Sequence, residues 1–118
     1  MNENWMVPKR LWDGGDVWIL GGGPSVTKQF NIPPEVVQAV IDGRSTPAVY
    51  SPYMKAIHHR HVIGINVAYL IGDWIDMVFF GDNGFFLKHK EPLYKWPGMK
   101  VSCANGSKKY PWVKFLSR

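Results

Sequence analysis

The stretch 16-DVWILGGGPSVTKQF-30 decides how the chain is read. An apolar run, Val17 to Leu20, breaks into Gly21, Gly22 and Gly23, followed by Pro24, Ser25 and residues of helical character. A short, uninterrupted apolar run bounded by glycine is the pattern of a strand buried on both faces. Pro24 suits the first position of a helix, where its missing N–H is no loss. The segment thus predicts strand, loop and helix in succession, with more glycine than a tight turn requires. A loop without Cβ atoms, placed before helix N–H groups that have no partner, lets an anion such as a phosphate approach the backbone. The plainer alternative is that the glycines serve the turn alone.

The same alternation continues outward. A helix is predicted from Pro33 or Pro34 to about Asp42, with Val36, Val37, Val40 and Ile41 at i, i+3, i+4 spacing and Gly43 as its stop. That stripe reads as core. Further helical turns are expected over Tyr53 to His59, so that residues 31–60 form a helical insertion. Later strands are predicted at His61 to Ile65, Asp76 to Phe80, Met99 to Cys103 and Trp112 to Leu116, with helical segments at Val67 to Ile71 and Gly84 to Lys90. Strands apolar on both faces that alternate with helices imply a single Rossmann-like, three-layer α/β domain over residues 1–118, with a mostly parallel sheet of about five strands. Residues 1–16, with Trp5, Pro8, Leu11 and Trp12, read as an N-terminal arm lying over that domain. Because a doubly wound sheet would continue beyond the last predicted strand, the expectation is a minimal or C-terminally incomplete form.

Composition narrows the function. The chain has 118 residues, of which 46% are hydrophobic and 19% charged, as in an ordinary globular domain. No apolar run approaches the roughly 20 residues of a membrane span, and the N-terminus MNENWMVPKR lacks the apolar segment of a signal peptide, so no membrane partner and a cytoplasmic location are expected. Cys103 stands alone, which excludes an intrachain disulfide and a multi-cysteine zinc site. The net charge of +5 is scattered, with Lys88 and Lys90, and Lys108 and Lys109, among its close pairs. Scattered positive charge reads as solvation more than as a nucleic-acid footprint, and a small anionic ligand such as a nucleotide fits it as well.

In open α/β sheets ligands bind at the carboxyl ends of the strands, where strand order reverses. Three candidates fall at such ends: the loop from Gly21 to Ser25, Asn66 and Asp82. The loop does not match the dinucleotide fingerprint, since Val26 stands at its third glycine and Asn66, not an acid, closes the second strand. Nor is it a P-loop, because Lys28 follows Thr27 without a preceding glycine. Asp82 can hold Mg²⁺ together with substrate phosphates, or can cap the helix that follows. Asn66 carries the same ambiguity between ligand contact and cap. His58, His59 and His61 diverge as neighbours must, and read as a solvated basic turn instead of a metal site. Cys103 reads as a small buried hydrophobe, and Phe85 or Phe86 as core residues that can also stack on a base.

The segments LWDGGDVWILGGGPSV, HVIGINVAYLIGDWIDMVFFGD and PGMKVSCAN resemble phage and bacterial proteins with the patterns ILGGGPSL, VIGVNxAY and ADxxxxxD, over roughly residues 11–105. That group includes the archaeal 6-hydroxymethylpterin diphosphokinase-like domain and, more distantly, the bacterial sialyltransferases whose G-x-G-P-S loop holds a cytidine nucleotide. The resemblance implies a nucleotide as substrate or donor, diphosphate or glycosyl transfer, and Mg²⁺ as cofactor. By it, Gly21, Gly22, Gly23, Pro24 and Ser25 form the phosphate loop, Asn66 contacts base or ribose, and Asp82 lies beside the phosphates or a metal; its place just past an apolar strand also makes Asp82 the candidate catalytic and metal-binding residue. Two departures weigh against transfer. The sialyltransferase loop has Asn where this chain has Gly22, and no general base paired with a nucleophile is recognisable. The alternative expectation is therefore a non-catalytic binding or interaction module.

Overall fold

The structure, a computed structural model, describes residues 17–21 and 24–117. The expected arm over residues 1–16 and the loop residues Gly22 and Gly23 lie outside the described residues. The chain forms a Rossmann-like α/β domain with a five-stranded, all-parallel sheet. The strands are β1 (Val17–Leu20), β2 (His61–Ile65), β3 (Met77–Phe80), β4 (Met99–Ser102) and β5 (Lys114–Phe115). Three α-helices, α1 (Pro24–Gln29), α2 (Pro34–Ile41) and α3 (Asn83–Lys95), and three 3₁₀ segments, η1 (Pro47–Ile57), η2 (Asn66–Ile71) and η3 (Asn105–Ser107), make the described connections.

The strands follow one another across the sheet as β1-β2-β3-β4-β5. This order never reverses, which corrects the expectation of a crevice at a reversal; the carboxyl edge as a whole is what the motifs share. Pairing of Leu20 with Gly64, Gly64 with Val78 and Phe80 with Ser102 fixes which side chains share a face. Leu20, Val62, Val78 and Phe80 all belong to one core cluster that also holds Met54, Ile57, Tyr69, Phe86, Leu93 and Trp96 from η1, η2, α3 and the turn after it. The intervening residues Ile19, Ile63, Ile65, Phe79 and Met99 alternate onto the opposite face, and none of them is in that cluster.

Two elements depart from expectation for physical reasons. The apolar stripe of α2 is not core: the helix has no buried residue, and Ile41 is 70% exposed. Instead, Val37, Val40 and Ile41 face an open cavity described below. Helix α3 runs on to Lys95, past Pro92, where the sequence predicts an end near Lys90. Leu93 in its last turn is fully buried and Trp96 just beyond is nearly so, and this packing carries the helix through a residue that would otherwise break it. His58 is likewise not merely solvated. Its ring stacks on Trp74 at 4.3 Å, and Trp74 Nε1–H donates to Ser51 Oγ at 2.8 Å. His59 and His61 are exposed, as expected of a turn.

Candidate functional site

Parallel pairing lines up the carboxyl ends of all five strands, so the loops leaving them form one rim. Gly21 follows β1, Asn66 follows β2, Gly81 and Asp82 follow β3, Cys103 to Asn105 follow β4, and Leu116 and Ser117 follow β5. The candidates read from the sequence are thus brought to one edge but not to one point. Leu20 pairs with Gly64, which sets Gly21 and Asn66 on neighbouring strands, whereas Asp82 leaves the next strand across.

Gly21 is exposed, and a Cβ added there would meet nothing within 4 Å. Pro24 and Ser25 are the first two residues of α1, which is six residues long. So short a helix has a weak macrodipole, and any anion at the loop would depend on backbone N–H groups more than on the helix field. Asn66 has φ of 55°, in the left-handed region, and the position before it, Ile65, is the cap of η2 without a side-chain bond. Its identity is therefore explained by the backbone: Asn tolerates this conformation better than most residues. Asp82 is exposed and is the N-cap of α3, its Oδ2 accepting from the Phe85 N–H at 2.9 Å. Among the described residues no group of three or more His, Cys, Asp or Glu is placed to hold a metal ion.

Two cavities open along the rim. The first, of about 330 Å³, lies beside Gly21 and is walled by Val26 of α1, Val37 and Val40 of α2, Tyr50 of η1 and Val67 of η2. Its wall carries no charged side chain among the described residues. The second, of about 410 Å³, lies at the ends of β3, β4 and β5. Gly81, Asn83, Asn105, Lys108 and Ser117 give it a polar wall, with Cys103 and Phe115 beside them. Asp82 is not part of that wall.

The polar cavity was missed by sequence reasoning. Lys108 was visible only as half of a basic pair, and the loop after β4 carries no glycine run or acid to mark it. The available signal was topological: a polar stretch, Asn105 to Lys109, following a parallel strand falls on the same rim as the glycine loop.

One titratable pair is built into the interior behind the rim. The Tyr69 hydroxyl, on η2, lies 2.9 Å from Nδ1 of His89 on α3, and the His89 ring stacks on Phe85 at 4.2 Å. Burial pushes the Tyr69 hydroxyl up to about 12, so it stays protonated. Burial first, and the Lys88 ammonium second, lower the His89 pKa. With the imidazole neutral, Tyr69 donates and Nδ1 accepts, a pairing that ties η2 to α3.

No protein-family model, curated protein or solved structure matches the chain. Among the described residues no helix is long and apolar enough to cross a membrane.

Proposed function

We propose that the chain binds a nucleotide at the carboxyl rim, with the base in the apolar cavity and the phosphates toward the glycine loop. The observation that carries this reading is the apolar cavity of about 330 Å³ whose wall includes Gly21, the residue that begins the loop. Pockets of that size with apolar walls suit a flat heteroaromatic ring, held by dispersion against Val37, Val40 and the Tyr50 side chain. Gly21 has open space where a side chain would stand, so the rest of the ligand can leave the cavity past bare backbone. A Mg²⁺ ion carried by the phosphates would meet one side-chain carboxylate among the described residues of this rim, Asp82.

Whether group transfer follows depends on Asp82. Its Oδ2 is already committed to the Phe85 N–H, and this favours the second reading, a module that binds nucleotide without turning it over. In the transferase reading Asp82 would assist the leaving phosphate or its acceptor. The deciding experiment is a thermal melt of the purified chain with CMP, CDP, ATP and GTP, with and without Mg²⁺. A nucleotide at 100 times its dissociation constant adds about 2.7 kcal/mol of stability, worth several degrees in a domain of this size. The shift should vanish in Val40→Asp, which puts a charge in the apolar cavity. A cooperative melt that no nucleotide moves would overturn the reading, and product formation that survives in Asp82→Asn would remove Asp82 from any chemistry.

A further inference from the structure

We infer that the polar cavity at the ends of β3, β4 and β5 is a second binding site, separate from the one beside Gly21, for a small molecule that bears a phosphate or carboxylate. The first ground is charge. Lys108 is the only charged side chain in its wall among the described residues, and its ammonium is held over the Phe115 ring at 5.6 Å from the centroid. The nearby carboxylate, Asp82, stands outside the wall and is bonded to the first turn of α3.

The second ground is the balance of donors and acceptors. Asn83 Oδ1 accepts from the Gly106 N–H at 2.7 Å, which leaves the two amide N–H groups of Asn83 as what that side chain has to offer. The Lys108 ammonium only donates, the Ser117 and Asn105 side chains can donate as well as accept, and no carboxylate side chain stands in the wall, a set that suits an oxyanion better than a cation.

The third ground is that the loops bearing these groups are fixed from beneath. Ser102 and Ser107 are both fully buried. Ser102 Oγ accepts from the Ala104 N–H at 2.9 Å, and Ser107 Oγ donates to the Ala104 carbonyl at 2.7 Å. The Leu116 N–H, between the wall residues Phe115 and Ser117, donates to the Ser102 carbonyl at 2.7 Å. Two buried hydroxyls thus converge on Ala104, the residue before Asn105, and hold the turn that ends at Lys108. A binding site whose donors are positioned before the ligand arrives loses less entropy on binding.

Cys103 provides the test, because it lies in this wall and is the one cysteine of the chain. The native chain is reacted with a neutral thiol reagent, 4,4′-dithiodipyridine, in inorganic phosphate, pyrophosphate or citrate, against sodium chloride of equal ionic strength. The expected result is saturable, severalfold slowing by phosphate species, by citrate, or by both; which of these protects tells which oxyanion the site takes. Protection should be lost in Lys108→Gln and in Asn83→Asp, and kept in Lys28→Gln. Asn83→Asp retains the acceptor for Gly106 while replacing the donors by negative charge, and Lys108 and Asn83 are both exposed, so neither variant should disturb the fold. Rates equal to those in chloride, or protection that persists in both wall variants, would overturn the inference. The readout is independent of the nucleotide melt: that shift can fail while Cys103 remains protected, and the reverse.

Discussion

Asn66 shows what a single residue can be made to do by its backbone. Its φ of 55° belongs to a region where an L-residue with an ordinary side chain is strained, and Asn and Gly are not. Asn66→Ala should cost about 1 kcal/mol in urea unfolding, whereas Asn66→Gly should lie near the parent. If the alanine and glycine variants were equally stable, the backbone explanation would fail. Asp82 is read the same way: Asp82→Ala should lose about 1 kcal/mol from α3, and Asp82→Asn, which can still accept from Phe85, a fraction of that. Both residues stood out in the sequence as polar positions at strand ends. Their location was legible because strand ends are marked by where an apolar run stops. Their local roles were open between ligand and cap, because a lone Asn or Asp suits either until the backbone angle and the neighbouring N–H are known.

Among the elements, the strands were the most legible: Val17–Leu20 and His61–Ile65 have the bounds that the sequence predicts. Helix α2 was legible as a helix and misread as core, since periodicity reports which face is apolar and not what covers it. The consequence can be measured. Ile41→Ser should change stability by less than about 0.5 kcal/mol, because the side chain is 70% exposed, yet it should weaken whatever occupies the apolar cavity. The polar cavity was not legible, because it is assembled from three separate loops whose wall residues run from Gly81 to Ser117. Between η2 and α3, the Tyr69–His89 bond makes a prediction about acid. A His whose pKa is lowered from 6.5 in the folded state binds fewer protons there than in the unfolded chain. Stability should therefore fall as pH drops below about 6.5 and through the lowered value, and His89→Gln should flatten that part of the profile. An unchanged slope in the variant would assign the acid sensitivity to other groups.

At the scale of the molecule, the fold was legible as a class because apolar strands separated by helical stretches leave few alternatives to a parallel sheet. The order of the strands was not, since adjacency in a sheet depends on which way each crossover returns and the hydrophobic pattern is the same for either direction. The order found, with every strand beside its neighbour in sequence, has a consequence for how the sheet comes apart. β3 sits in the middle with Val78 and Phe80 fully buried, while β5 is a two-residue edge strand bonded on one side. Protection of backbone amides against deuterium should therefore be graded, longest-lived at Val78 and Phe80 and shortest at Lys114 and Phe115, as edge strands open without the centre. The polar cavity takes part of its wall, Phe115 and Ser117, from the fast-exchanging end of that gradient, so an oxyanion that binds there should slow deuterium uptake at β5 more than anywhere else in the sheet.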